Sequence, residues 1–292
     1  MTVRSFTAVV NPNSGDGGGT NRWRALGARV AATGASVSVE LTRDDVHATE
    51  LARDAASRGH VVAAVGGDGL VMAVVSGIVA AGGGTLAIVP AGRGNDLARK
   101  LGITAEPDAL TTLLVEGQPR PLDVLDVDGV IVPGNLYAGI DSVAARLINA
   151  RRFLPAKFNY RTAPLEAFVR WQPPTFTVTV DDTTVTTPAH LVVVANSGWY
   201  GHGLNIVPQA DVGDGLFDVL IARASQKRKF VRFMSQVEHG THVDRSDVTV
   251  LRGTTASIRA DRPIPAGADG EDIGELPRTV RLLPAALNVL AP

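Results

Sequence analysis

A chain of 292 residues, 45% hydrophobic and 20% charged, is long enough for two domains that each bury a core. With 28 lysines and arginines against 29 aspartates and glutamates, the formal net charge of −1 offers no general attraction to nucleic acid, so affinity for an anionic surface must come from local patches. Cysteine is absent, which excludes disulfides, thiolate zinc sites and cysteine nucleophiles together and suits a reducing cytoplasm.

Arg4 leads into a strand-like run and not into a cleavage site, so no signal peptide is expected. Phe6–Asn11 reads as a strand, followed by a glycine-rich loop from Asn13 to Gly19 and a helix over Asn21–Ala32. Ser36–Leu41 alternates as a second strand. Asp44–Arg58 is helical, with Asp44 as N-cap and Gly59 as the stop. His60–Val65 is a short apolar strand that turns through Gly66–Gly69 into the helix Leu70–Ala81. Thr85–Pro90 is the next strand, turning at Ala91–Gly94 into a helix from Asn95 to Leu101. Residues 69–92 carry no charge, nominally enough to span a bilayer. Gly82-Gly83-Gly84 and Pro90 divide them into a helix-like and a strand-like half, so buried α/β core is expected.

After Pro121 the pattern changes. Phe176–Val180, Thr183–Thr187 and Leu191–Ala195 are β-rich, with Asp181-Asp182 as a hairpin tip. Further strands are expected at Phe217–Ala222, Asp247–Leu251, Thr255–Ala260 and Thr279–Leu283. One amphipathic helix interrupts them, with Phe230, Phe233, Met234 and Val237 on one face and Lys227, Arg228 and Arg232 elsewhere. The expected fold class is α/β: an open parallel sheet over residues 1–122, then an antiparallel β-sandwich over residues 123–292 whose last strand returns to the first domain.

Three loops leave the carboxyl ends of the first-domain strands: Asn11-Pro12-Asn13-Ser14-Gly15, Gly66-Gly67-Asp68-Gly69 and Pro90-Ala91-Gly92-Arg93-Gly94-Asn95-Asp96. That edge is where an open parallel sheet binds ligands. Glycines there let backbone N–H groups approach phosphate oxygens, and the helix N-termini add positive dipole ends. Asp68 is placed to hold Mg²⁺, directly or through water. Any one loop reads equally well as a plain tight turn; three on one edge do not. There is no G-x-x-x-x-G-K-[ST] and no H-E-x-x-H, and the six histidines show no metal-ligand spacing. Gly82-x-Gly84-x-x-Ala87 precedes a strand where a dinucleotide motif must follow one.

N-P-N-S-G after the first strand, G-G-D-G after the third and P-A-G-R-G-N-D-L-A-R after the fourth resemble the diacylglycerol kinase catalytic family, which includes sphingosine, ceramide and bacterial lipid kinases. G-G-D-G alone is shared with NAD kinases. The resemblance continues through Leu122-Asp123, Asn196–Gly203, Asp211–Leu216 and Ala268-Asp269-Gly270-Glu271. It implies a nucleotide cleft between the two domains, with ATP and Mg²⁺ as cofactors. Asn11, Pro12, Asn13, Ser14, Gly15, Thr42, Gly66, Gly67, Asp68, Gly69, Arg93 and Asn95 would line the ATP site. Asp211, Asp214 and Leu216 match a structural Mg²⁺ loop, Asp214 through its carboxylate and the other two through backbone carbonyls. Asp123 matches a carboxylate linking that loop to the active site.

Asp68, Asp269 and Glu271 are the implied catalytic residues. On an extended segment Asp269 and Glu271 would face the same side, and their repulsion would raise one pKa toward that of a useful base; the plain alternative is an acidic surface turn. Glu271 is expected to deprotonate the lipid hydroxyl, supported by Asp269. Departures from the family pattern are Asp16, Leu70, Ala73 and Arg93. The expected partner is a membrane lipid, most simply diacylglycerol, met by transient peripheral contact at the inner membrane face of a cytoplasmic protein; a homodimer is left open. Arg151, Arg152, Lys157 and Arg161, interleaved with Phe153, Leu154, Phe158 and Tyr160, would seat on an anionic interface, or form a solvated linker helix. The rival readings are a sphingoid-base, ceramide or polyprenol kinase, and a catalytically weak nucleotide- or lipid-binding relative.

Overall fold

The computed structural model describes residues 4–14, 18–151, 156–201 and 203–292. Strands β1 (Ser5–Val10), β2 (Ser36–Leu41), β3 (Val61–Gly66) and β4 (Thr85–Pro90) pair in parallel in the order β2–β1–β3–β4. β3 is buried along its whole length, and β1 and β4 nearly so, because helices cover the sheet. Such strands read as runs of valine and alanine, not as an alternation. Helices α1 (Gly18–Ala31), α2 (Asp45–Ser57) and α3 (Asp68–Ala80) make the crossovers, and α4 (Asp96–Lys100) and α5 (Pro107–Glu116) follow β4. α2 begins where Asp44 Oδ1 accepts the His47 N–H at 2.8 Å. It gives way to Gly59, whose φ of 74° suits glycine. The uncharged stretch is α3 followed by β4, both in the core.

β5 (Gln118–Val127) leads out of this sheet. The β-rich half then comprises β6 (Val130–Val132), β7 (Asn135–Gly139), α6 (Ile140–Ala150), α7 (Ala156–Arg170), β8 (Thr175–Val180) and β9 (Thr183–Ala195). It continues through β10 (Trp199–Tyr200), β11 (Leu204–Asn205), β12 (Phe217–Arg223), α8 (Lys227–Val237), β13 (Val248–Gly253), β14 (Thr255–Ala260), β15 (Pro265–Ala268), β16 (Glu271–Glu275) and β17 (Arg278–Ala291). One set of strands runs β8–β14–β17–β5, and another runs β13–β12–β9–β7–β15–β16.

Three readings of the sequence need correction here. β9 is one strand of 13 residues, not two. Its first half pairs with β8 and its second with β7 and β12; the changeover lies at Pro188, whose missing N–H falls at the end of the β8 ladder. β17 does not stop at Leu283. It bulges through Pro284 and Ala285 (φ 46°) and continues to Ala291, parallel to β4 and antiparallel to β5. The first sheet therefore has the order β2–β1–β3–β4–β17–β5, and β5 and β17 carry one ladder through both halves. Finally, the helical structure here is a pair, α6 and α7, where the sequence offered, as one of two alternatives, a linker helix around residues 151–161.

Candidate active site

The carboxyl ends of β1, β3 and β4 lie side by side, and their loops are tied to one another. Asn11 N–H donates to Val65 O at 3.2 Å, and Ala91 N–H to Gly66 O at 2.8 Å. Asn11 Oδ1 accepts the Asn13 N–H at 2.9 Å, folding the chain over Pro12, and Ser14 N–H returns to Asn11 O at 3.2 Å. Gly15 lies outside the described residues. A Cβ on Gly92 would sit 2.4 Å from the Gly67 Cα, so only glycine lets the β3 and β4 loops touch.

Asn95 sits in the left-handed region (φ 52°). Its side chain is spent on its own loop, Oδ1 accepting from Gly92 N–H and Nδ2 donating to Gly92 O, each at 2.9 Å. Thr42 is buried, its hydroxyl donating to Asp44 O at 2.6 Å and its N–H to Val10 O at 3.0 Å, which sets the β2–α2 junction beside the edge. Arg93 is exposed at the loop tip. Leu70 packs against Gly66, and both Leu70 and Ala73 are buried. Two of the departures from the family pattern thus fall in packing positions of α3.

Asp68 opens α3, and its carboxylate reaches across to the β4 loop. Oδ2 accepts the Asn95 N–H at 2.8 Å and Oδ1 the Asp96 N–H at 2.7 Å. Opposite stands the tip of the β15–β16 hairpin. Asp269 (φ 45°) and Gly270 (φ 92°) form its two-residue turn, with Ala268 and Glu271 as the closing pair. The segment is therefore not extended, and the alternation argued from sequence does not apply. Asp269 turns back onto the chain before β7, Oδ2 accepting from Gly134 N–H at 2.8 Å and Oδ1 from Asn135 N–H at 2.7 Å. Burial pushes its pKa up to about 7; the two backbone N–H groups oppose that, and the charges of Asp68 and Asp96 add to it. Exposed Glu271 overhangs the first turn of α3, its Oε1 3.3 Å from where a Cβ on Gly69 would lie.

A buried amide network holds this tip. Asn135 donates from Nδ2 to Ser197 Oγ (3.0 Å) and Trp199 O (2.6 Å) and accepts the Gly198 N–H at 3.0 Å. Asn196 donates through its N–H to Gly134 O at 3.0 Å, and through Nδ2 to Pro133 O and Asp123 O, each at 2.8 Å. Asp123, 2% exposed, accepts Ala285 N–H at 2.7 Å and Gly215 N–H at 2.8 Å. One chain of hydrogen bonds thus joins the 211–216 loop to Asp269. Asn135 is the member that the sequence did not betray.

In the 211–216 loop, Asp211 Oδ1 accepts the Gly213 N–H at 3.1 Å and Asp214 Oδ1 the Leu216 N–H at 3.0 Å. Asp214 Oδ2 is paired with Arg252, whose Nε also lies 3.5 Å from buried Asp218. A metal at Asp214 would compete with that guanidinium for the carboxylate. Among the described residues no three acidic or histidine side chains are gathered as a metal cage.

Between the hairpin tip and helices α6, α7 and α8 lies a cavity of about 480 Å³. Asp68, Gly94, Asp96, Asp269 and Gly270 line its polar part; Ile148, Pro164, Phe168, Leu191, Phe230 and Met234 line its apolar part. Tyr137, Asp141 and Tyr200 line it too, a set that sequence reasoning missed.

Residues 5–127 match the family described as the diacylglycerol kinase catalytic domain, and residues 134–291 the YegS C-terminal NAD kinase beta sandwich-like domain. A diacylglycerol kinase of Mycobacterium tuberculosis (strain ATCC 25618 / H37Rv) is 32% identical over 299 residues, covering 99% of this chain and 96% of that protein. The chain belongs to the diacylglycerol kinase family. These are lipid kinases, and the diacylglycerol kinase of Bacillus subtilis (strain 168) is a further relative, 26% identical over 84% of this chain and 82% of its own length. A crystal structure of a putative diacylglycerol kinase from Bacillus anthracis str. Sterne shares the fold, with a TM-score of 0.82, 20% identity and coverage of 100% of this chain and 98% of that one. Within this lipid kinase fold, Asp68 of the β3 loop, Gly94 and Asp96 of the β4 loop and Asp269 of the hairpin tip line one and the same cavity.

Proposed function

We propose that the chain transfers the γ-phosphoryl group of ATP to the free hydroxyl of diacylglycerol. The observation that carries this reading is the continuity of the cavity, which joins the carboxylates of the glycine-loop edge to an apolar chamber of ligand size. The nucleotide's phosphates would lie over Asn11–Gly15 and Gly66–Gly69, with Arg93 at the rim, where loop N–H groups and the N-terminus of α3 face them. Magnesium would enter with ATP as part of the substrate. Such an ion keeps waters and phosphate oxygens and asks the protein for one or two carboxylates, a role open to Asp68.

Glu271 is the proposed base. It stands exposed beside Gly69 and next in the chain to Gly270, which lines the cavity, where it would take the lipid's proton and release it to water. Asp269 anchors the turn that carries Glu271. Because phosphoryl transfer depends on positioning and on charge stabilisation, fixed N–H groups around the transferring group supply most of the catalysis.

The membrane face in this reading is α7 with α8. Phe158, Leu165 and Val169 share one side of α7 and are 57%, 62% and 62% exposed, while Pro164 and Phe168 on the adjoining side line the cavity. α8 adds exposed Val231 beside Lys227, Arg228, Lys229 and Arg232. Of the basic-aromatic set singled out in the sequence, Arg151 is paired with Glu166 at 2.7 Å and Phe158 is exposed; residues 152–155 and the side chains of Lys157, Tyr160 and Arg161 lie outside the described residues. Labelled ATP offered with diacylglycerol, a sphingoid base, a ceramide and a polyprenol in mixed micelles tests the reading. Label is expected in phosphatidic acid; label in another lipid, or in none, would refute it.

A further inference from the structure

The cavity wall carries a polar cluster that the proposed transfer leaves unused. Tyr137 and Tyr200 meet with their rings tilted at 54° and the centroids 5.7 Å apart, and Asp141, in the first turn of α6, lies beside Tyr200. All three line the cavity. Tyr137 feels the charges of Asp141, Asp269 and Glu271 together, which places it between α6 and the hairpin tip. Asp141 Oδ1 accepts the Ser142 N–H at 2.8 Å, while Oδ2 is buried without a hydrogen-bond partner among the described residues. The Tyr200 hydroxyl approaches it and opposes the rise in its pKa without closing a hydrogen bond of ordinary geometry. A carboxyl buried in this way is costly as an anion and is favoured as an acid. Burial indeed pushes it up to about 7. Burial likewise raises both tyrosines above their ordinary value, so their hydroxyls keep their protons.

A carboxyl whose pKa burial lifts to about 7, and two phenols that keep their protons, make a cluster able to donate hydrogen bonds, set in an apolar wall. A lipid with its hydroxyl at the hairpin tip and its chains in the chamber would lay its linkage region along this wall, since Tyr137 is near Asp269 and Glu271 as well as Asp141. A glycerolipid carries its ester carbonyls there, within two carbons of the free hydroxyl, and these are acceptors without protons of their own. We infer that Tyr137, Asp141 and Tyr200 form the specificity site that reads an ester carbonyl of the acceptor lipid by donating hydrogen bonds to it. This rests on the reading that the acceptor is a diacylglycerol. The site selects ester-linked lipid over ether-linked lipid of the same length, and sets the free hydroxyl before Glu271.

The test compares a diester glycerol with the corresponding diether, which lacks only the carbonyl oxygens, in mixed micelles with ATP. The wild-type enzyme should favour the diester about 10-fold in kcat/KM, the worth of one well-made hydrogen bond. Tyr200→Phe and Tyr137→Phe each remove one oxygen and keep ring packing, so they should fold; they should lower kcat/KM for the diester and leave the diether nearly unchanged. Asp141→Leu should behave likewise, whereas Asp141→Asn retains a donor and should restore the preference. An ester-to-ether ratio unaltered in Tyr200→Phe, Tyr137→Phe and Asp141→Leu would overturn the inference while leaving the lipid kinase reading intact. If Asp141→Asn instead abolished phosphorylation of a long-chain amino alcohol that the wild type accepts, the carboxylate would read a cation, and the inference would be wrong. Failure of the wild type to label either glycerolipid would refute the substrate reading, and the ester site with it.

Discussion

The carboxylate of Asp68 holds the backbone of Asn95: Oδ2 accepts its N–H at 2.8 Å, in a residue kept at a φ of 52°. Oδ1 takes the next N–H, that of Asp96, at 2.7 Å. The residue proposed to meet the magnesium–nucleotide complex is therefore also the clasp between the β3 and β4 loops. Its two functions are separable by substitution.

Asp68→Ala should abolish turnover and also cost stability, because two part-buried N–H groups lose their acceptor. A loss of about 2 kcal/mol is expected, read as a fall of several degrees in melting temperature. Asp68→Asn retains one amide oxygen for the loop and should recover part of the stability without recovering activity. A fully stable Asp68→Ala would show that the clasp contributes nothing, and retained turnover would remove Asp68 from the chemistry.

Arg252 offers a second separation. It pairs with Asp214 and approaches buried Asp218, so Arg252→Ala should lower the melting temperature by leaving that pair of carboxylates uncompensated. If the 211–216 loop can take magnesium, the ion should then raise the melting temperature of Arg252→Ala more than that of the wild type, and should not raise that of Arg252→Ala/Asp214→Ala. A variant indifferent to magnesium would place the metal elsewhere.

How much of this was legible follows from where each signal lives. β1, β3 and β4 declare themselves because strands buried on both faces are uniformly apolar, and their loops because glycine is required where Gly67 and Gly92 touch. A last strand returning to the first domain was expected, but its continuity past Leu283 was hidden by Pro284 and Ala285, which interrupt the pattern although the ladder resumes at Leu287. Asp269-Gly270 was misread as extended because it sits in a charged run, yet Asp-Gly is the pair that a type I′ hairpin turn prefers. Asn135, Tyr137 and Asp141 have no periodic or motif signature; their importance arises only when β7 and α6 pack against the hairpin tip and the 196–200 segment.

The pH dependence of stability isolates Asp141. Its folded pKa is raised from the ordinary carboxylate value to about 7, so between pH 4 and 7 the folded chain holds a proton that the unfolded chain has released. Stability should be greatest at the acid end of that window and fall as pH rises through it, until about pH 7. Tyr137 and Tyr200, the titratable groups facing it, stay neutral throughout. A full shift of this size corresponds to roughly 4 kcal/mol, but Asp141 keeps some accessible surface, so about 1–2 kcal/mol is expected. Asp141→Asn cannot ionise; its stability relative to the wild type should therefore grow from pH 5 to pH 8. Asp269 is raised in the same direction in both proteins and cancels in the difference. Parallel melting curves across that range would contradict the buried-acid assignment.

The division of labour between Glu271 and Asp269 can be decided at the hairpin tip itself. Glu271 is exposed and overhangs Gly69, whereas Asp269 already accepts the N–H groups of Gly134 and Asn135. If Glu271 is the base, Glu271→Gln should lower turnover by about 10²–10⁴-fold and leave nucleotide affinity nearly unchanged, since its side chain serves the acceptor. Asp269→Asn replaces one acceptor oxygen with a donor that faces a backbone N–H, so it should loosen the turn and damage catalysis less. Gly134→Ala approaches the same anchor from the other side, because its Cβ would fall 2.1 Å from Asp269 Oδ1 and force the carboxylate away. An anchoring role predicts that Gly134→Ala and Asp269→Asn have similar effects and that the double variant is little worse than either alone. Kinetics at saturating lipid would show this. Near-normal turnover in Glu271→Gln alongside an inactive Asp269→Asn would reverse the assignment and make Asp269 the base.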